Sequence, residues 1–177
     1  MKFLLNGQET ERLNFREIRE SDSPQWLEFF KDPRTSEHWI EEKEPPEIAC
    51  KKWYEKQFSR YRNDKGGMNA LIEKVSGRLV GHCGLLVQTV DGTMELEIGY
   101  SLLQEFWNRG YASEASLYCR DFAFTNHFAD SLISIISLTN IASEKVALKN
   151  GMTVSKTTTY NGNKVNIFRI RREHWKP

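Results

Sequence analysis

The stretch TMELEIGYSLL sets Glu95 and Glu97 two positions apart, with Gly99 and Ser101 continuing the alternation. Read as a strand, it puts Glu95, Glu97, Gly99 and Ser101 on one face and Leu96, Ile98, Tyr100 and Leu102 on the other. Carboxylates held together in this way can take a proton from a nucleophile. A half-exposed strand with a solvated polar face has the same pattern, although a Gly inside a strand often marks close approach by a ligand. The strand runs into Phe106-Trp107-Asn108-Arg109-Gly110-Tyr111-Ala112, and a helical pattern follows Ala112. A helix start leaves several N–H groups unbonded and carries about half a positive charge. Gly110 and Ala112 let an anion approach that backbone, and Arg109 can add a charge-assisted contact. The plain alternative is a tight strand-to-helix turn. Glu114 favours that alternative, because it complements the same dipole.

The elements that must position these groups can be read along the chain. LNFREI (13–18) alternates as a first strand. SDSPQWLEFFKD opens with cap-type residues and Pro24, then spaces Trp26, Phe29 and Phe30 as a helix that Pro33 stops. EIACKKWYEKQFSRYRN carries Ile48, Trp53, Phe58 and Tyr61 as a second helix with a charged outer face. MNALIEKV and RLVGHCGLLVQTV are strands about Ser76-Gly77, and Asp91-Gly92 is a hairpin signal leading into TMELEIGYSLL. After the junction, Ala115, Tyr118, Cys119, Phe122 and Ala123 share one helical side. SLISIISL reads as a buried strand. SEKVALKNG reads as a short helix with Ser143 as an available N-cap and Asn150-Gly151 as its close. TVSKTTTYNGNKVNIFRIRR is a hairpin about Asn161-Gly162. This order predicts one α+β domain over 1–177, with a mixed, mostly antiparallel sheet of about seven strands and about four flanking helices.

Composition narrows the classes. Of the 177 residues 28% are charged and 39% hydrophobic, with a net charge of +1, which gives no pull toward nucleic acid or an anionic membrane. No apolar run approaches the ~18 residues of a membrane span, and Phe3-Leu4-Leu5 is too short for a signal-peptide core. Cys50, Cys83 and Cys119 are widely spaced and odd in number, so they read as buried free thiols in a reducing, cytoplasmic setting. The scattered histidines predict no metal site.

Trp107-Asn108-Arg109-Gly110-Tyr111-Ala112, following an acidic strand, resembles the acetyl-CoA pyrophosphate loop of the GNAT acetyltransferases. That loop usually reads Gln or Arg, two free positions, Gly, one free position, then Gly or Ala. Trp107 stands where Gln or Arg is commonest, and an aromatic there is frequent in the branch of ribosomal-protein N-terminal acetyltransferases. ETERLNFREIRESD resembles that branch's opening strand and first helix, GRLVGHCGLL its third strand, NIASEKVALKNGM its Asn-Ser-Lys-x-Gly segment, and RREHW its last strand.

The resemblance implies a GNAT fold and direct attack of a primary amine on acetyl-CoA. The pantetheine arm would lie between splayed fourth and fifth strands, on the backbone around Ile98, Gly99 and Tyr100, with Gly99 leaving room. A strand N–H there would face the developing oxyanion. The pyrophosphate would sit on the N–H groups from Asn108 to Ala112, with Trp107 and Arg109 in the same binding set. Asn140 matches a pantetheine-contacting Asn and Ser143 a Ser near the thioester sulfur. Glu97 matches the carboxylate base, and Glu95 is the spare. Ala147 stands where many members have a Tyr as acid. That leaves Ser143, water, or departure of an unprotonated thiolate, whose pKa is about 8.5.

For the acceptor, magnitudes favour a protein N-terminus. Deprotonation at pH 7 costs about 4.6 kcal/mol for lysine and about 1–1.4 kcal/mol for an α-amine. The alternatives are a small amine (polyamine, amino acid or aminoglycoside) and a non-catalytic acyl-CoA-binding module. TSEHWIEEKEPPE holds Glu41, Glu42, Glu44 and Glu47 against Lys43, a rim that would draw a cationic acceptor unless it is a solvated loop. His38 and Trp39 are candidate pocket residues. Arg169, Arg171 and Arg172 suit either RNA contact or a wet sheet face, and the second reading is preferred. The resemblance also allows a homodimer.

Overall fold

The computed structural model describes residues 2–40 and 43–176. Seven strands form one sheet in the order β1-β2-β3-β4-β5-β7-β6. They are β1 Leu13–Glu17, β2 Gly66–Glu73, β3 Leu79–Val90, β4 Thr93–Leu102, β5 Ser131–Ser137, β6 Thr153–Tyr160 and β7 Asn163–Arg171. The helices are α1 Ser23–Lys31, α2 Pro46–Arg62, α3 Tyr111–Thr125 and α4 Ile141–Lys149. Every neighbouring pair is antiparallel except β4 and β5.

Central strand β3 is buried without interruption from Leu79 to Leu86, because both of its faces are covered. His82 points toward α1 and α2, against Trp26 and Trp53. Its neighbour Cys83 points the other way, to Cys119 of α3 at 3.6 Å. Helices α1 and α2 therefore cover one face and α3 the other. Ala115, Cys119 and Ala123 are fully buried, and their small side chains let α3 lie close to β3 and β4. The fully buried Trp26, Phe15, Phe106, Phe124 and Phe168 are the largest contributors to the core, each stabilising by about 2–3 kcal/mol on transfer from water.

Strands β4 and β5 share only the register pair Glu97↔Ile133. The cause is on the far side of β5, which pairs along its whole length from Ser131 to Ser137 with β7. Strand β5 thus follows β7, and β4 follows β3, with which it pairs from Thr93 to Leu102. The two halves of the sheet part between them.

Three local expectations are corrected. Helix α3 starts at Tyr111, with left-handed Gly110 (φ 83°) as its N-cap, and not after Ala112. Asn140, not Ser143, caps α4: its Oδ1 accepts the Ser143 N–H at 3.0 Å, which puts Ser143 inside the first turn. RREHW is not a strand throughout, because β7 ends at Arg171 and Arg172–His174 form a 3₁₀ turn.

Candidate active site

A cavity of about 350 Å³ lies where β4 and β5 part. On β4 it touches Glu97, Ile98, Gly99, Tyr100 and Ser101, and on β5 it touches Ser134 to Ser137. Successive strand residues face opposite sides of a sheet. A cavity that touches both sets on both strands therefore runs through the sheet, and separated strands permit this. Ser134 Oγ donates to the Ile98 carbonyl at 2.9 Å and marks where the parting starts. Gly99 lines the cavity, but the room expected of it is already used. A Cβ there would meet Leu86 at 2.9 Å and Met68 at 3.0 Å, so its missing side chain serves packing against β3.

At the end of β4, Phe106 is buried and Trp107 is tied down twice. The Trp107 indole N–H donates to the Leu102 carbonyl at 2.9 Å, and its backbone N–H donates to Gln104. Trp107 therefore anchors the loop and keeps no donor for a ligand. The next residues differ. Asn108 (φ 59°) and Gly110 (φ 83°) are both left-handed and wind the chain into a concave turn. Among the described residues, no acceptor meets the backbone N–H of Asn108, Arg109, Gly110, Tyr111, Ala112 or Ser113, and the first helical bond is Glu114 N–H to Gly110 O. Consecutive free donors at a helix N-terminus form an anion cradle. Glu114, which could have filled it, is turned away. Burial raises its pKa, but hydrogen bonds from Thr10 and from the Arg12 backbone and side chain outweigh that and hold it below the ordinary carboxylate range. Arg12 also packs over the Tyr111 ring and donates to the Arg109 carbonyl, so β1 braces the loop from behind. The Arg109 guanidinium stacks over Phe106.

The two carboxylates of β4 are separated by their partners. Glu95 is gripped by Arg169 of β7 through two hydrogen bonds, 2.6 and 3.0 Å, which makes it a structural ion pair. The same pair corrects both readings of Arg169, the wet sheet face and the RNA contact, because its side chain is largely buried against Glu95. Glu97 instead lines the cavity. Burial is the main influence on Glu97 and raises its pKa, and this is partly offset by donors from Gln88 Nε2 at 2.7 Å and the Ile135 N–H at 3.4 Å. The Gln88 amide can point only one way. Its Oε1 accepts from Arg60 at 2.8 Å and from Tyr160 at 3.3 Å, so its Nε2 must face Glu97. Gln88 and Arg60 had no place in the sequence-based site, and neither belongs to a motif.

Asn140 and Ser143 both line the cavity from the α4 end. With Asn140 serving as the cap, the Ser143 hydroxyl is free of that duty. Ala147 is 1% exposed and faces the core, so no hydroxyl can enter the site from that position. Tyr100 supplies one from β4. Its Oη donates to the Ser143 carbonyl at 3.2 Å, and burial raises its pKa, so the phenol stays protonated at neutral pH.

The segment between α1 and α2 closes the other side. Trp39 lines the cavity, Asn163 holds both Ile40 N–H and Ile40 O, and the His38 ring meets Thr139 at 3.0 Å. His38 is thus a brace beside the site, not part of its wall. Only part of the acidic segment falls within the described residues, and that part is exposed, as a solvated loop would be. Glu44 pairs with Lys52, Glu47 is exposed in the first turn of α2, and Glu41 and Glu42 lie outside the described residues. The α2 wall of the cavity carries Lys56 and Arg60. No group of three or more metal-ligating side chains occurs among the described residues, and no described helix is long and apolar enough to cross a membrane.

Residues 12–153 match the family model for an acetyltransferase (GNAT) domain. The chain is also 37% identical over 99 residues to the Bacillus subtilis (strain 168) protein YkkB, a match that spans 54% of this chain and 58% of that relative. In fold it is similar to an acetyltransferase from Agrobacterium tumefaciens str. C58, with a TM-score of 0.79 at 23% identity over 97% of both chains. It is likewise similar to the ribosomal-protein-S5-alanine acetyltransferase of Vibrio fischeri, with a TM-score of 0.71 at 17% identity over 96% of this chain and 98% of that one. With a free N–H cradle, a split between β4 and β5 and a family match over most of its length, the chain belongs to the GNAT acetyltransferase domain family, whose members use acetyl-CoA as co-substrate.

Proposed function

We propose that residues 1–177 act as one catalytic unit that transfers the acetyl group of acetyl-CoA to a primary amine, the N-terminal α-amine of a protein. The observation that carries this reading is Glu97, an enclosed carboxylate of raised pKa at the opening between β4 and β5. A base of raised pKa is better matched to an α-amine, at about 7.7–8.0, than an ordinary carboxylate is. It remains far from lysine at about 10.4. The fold likeness to a ribosomal-protein acetyltransferase supports the same acceptor class. The buried, unpaired thiols of Cys50, Cys83 and Cys119 support a reducing, cytoplasmic setting.

In this reading the N–H groups of Asn108 to Ser113 hold the pyrophosphate, with Arg109 and Gly110 at its centre. Ile98, Gly99 and Tyr100 align the pantetheine arm, and Asn140 orients its end. Glu97 accepts the amine proton as the amine nitrogen bonds to the thioester carbon. The carbon–sulfur bond breaks, and the departing sulfur receives a proton from the Tyr100 hydroxyl or, failing that, through Ser143. The test is release of free CoA from acetyl-CoA with a Ser- or Ala-starting peptide, beside the same peptide blocked at its N-terminus. Release with the free peptide alone supports the proposal. Equal release with both peptides overturns it, as does no release with either.

A further inference from the structure

We infer that the acceptor amine is carried by an anionic chain: a protein N-terminus with Asp or Glu at its second or third position, held by Lys56, Arg60 and Lys65. This rests on the N-terminal reading above. The first observation is a second cavity of about 370 Å³ that shares Lys56, Arg60 and Gln88 with the first. Its other polar lining is Ser59, Asn63, Lys65 and Thr89, and among the described residues no carboxylate lines it. The neighbouring lysines of α2 are neutralised, Lys51 by Glu55 and Lys52 by Glu44. Among the described residues, Lys56, Arg60 and Lys65 have no such ion pair. Arg60 is fixed by donations to the Lys65 and Val87 carbonyls and to Gln88, yet its buried Nε meets no acceptor.

These cations are badly placed for the pyrophosphate. Arg60 holds Gln88, which lies opposite Glu95 in the sheet. The loop begins beyond Leu102, seven positions further along β4, or roughly 23 Å at about 3.3 Å per residue. They lie instead on the acceptor side of Glu97. Only the Gln88 amide stands between the Glu97 carboxylate and the Arg60 guanidinium. Two hydrogen bonds and one amide span on the order of 8 Å. The second cavity continues from there to Asn63 and Lys65, so it fits an acidic side chain one or two residues beyond the α-amine. A polyamine would meet like charge here.

The experiment compares kcat/KM for two peptides that differ only in Ser-Glu against Ser-Gln at their start. The Glu peptide is expected to be better by about tenfold, the scale of one charge-assisted contact, with the advantage shrinking as salt is raised. Lys56 and Lys65 are exposed, so the double variant Lys56→Glu/Lys65→Glu keeps its core, and it is expected to reverse the ranking. Equal rates in the unmodified protein, or a ranking that survives the reversal, overturn the inference. Better turnover of free glutamate than of either peptide also overturns it. If no peptide is acetylated, the N-terminal reading fails by itself. The same contrast is then read by titrating Trp39 and Trp53 fluorescence with the N-acetylated Glu and Gln peptides. Tighter binding of the Glu form retains the anionic acceptor, and equal binding overturns it.

Discussion

The two ends of the proposed site are built differently. The loop proposed for the pyrophosphate is made of backbone: six consecutive N–H groups, from Asn108 to Ser113, left free among the described residues by two left-handed residues at a helix start. The end proposed for the acceptor is made of side chains drawn from far apart, with Glu97 on β4, Gln88 on β3, Lys56 and Arg60 on α2, and Trp39 before α2. A backbone site needs only a short run of residues in one conformation, so its chemistry is local in the chain. A side-chain site needs distant elements brought into register, and it can change its ligand without disturbing the fold.

Substitutions can separate the two ends. The largest effect is expected for Glu97→Gln, which should lower kcat/KM by about three decades, the range of a lost general base, while CoA affinity by calorimetry stays put. A matching loss of CoA binding would show that the ends are not separable.

The next effect concerns the patch beneath the acceptor wall. Fully buried His82 lies between Trp26 and Trp53, has no hydrogen-bond partner on either nitrogen among the described residues, and is pushed by burial down to about 3. A lowered histidine pKa means that the unfolded chain binds the proton more readily. Stability should therefore be full above the unfolded value of about 6.5 and fall as the pH drops toward 3, by about 4 kcal/mol. Urea unfolding across that range checks this. His82→Leu should flatten the profile, and hydrogen exchange should show α1 and α2 loosening before α3.

Smaller is Gly110→Ala. The left-handed φ of 83° and an added Cβ 3.4 Å from Arg12 should weaken CoA binding by about tenfold without moving the pH optimum. The smallest is Gln88→Leu, which removes a donor to the Glu97 carboxylate. Its sign is definite: Glu97 becomes harder to ionise, and because the base must be ionised, the acidic limb of the rate profile moves to higher pH. The expected loss at pH 7 is about threefold. An unmoved acidic limb would remove Gln88 from the acceptor end.

Sequence reading succeeded where one element carried the information. The Asp91-Gly92 turn was legible, and with it the whole β3–β4 register, since Val90 must face Thr93 and Gln88 must then face Glu95. The same arithmetic sets Gln88 diagonal to Glu97 on the neighbouring strand. Nothing comparable was available for Arg60. It reads as one more charge on the outer face of a helix, and only the packing of α2 against β3 sets it against Gln88. The strand pattern alone did not separate Glu95 from Glu97; the family resemblance favoured Glu97, and the physical difference is Arg169 reaching across from β7 to Glu95.

By itself the sequence determined the elements, their order, the hairpin turns and the small, Gly-containing junction before α3, because each depends on residues within a few positions of one another. The tertiary structure decided which carboxylate faces the cavity, that Asn140 and not Ser143 caps α4, that the Tyr100 side chain reaches the α4 end of the cavity, and that Lys56 and Arg60 line it from α2. These outcomes depend on which side chains meet across the sheet, and those meetings are set by how β5 pairs with β7 and parts from β4. Pairing between strands so distant in the chain is settled only when the whole sheet closes on its core.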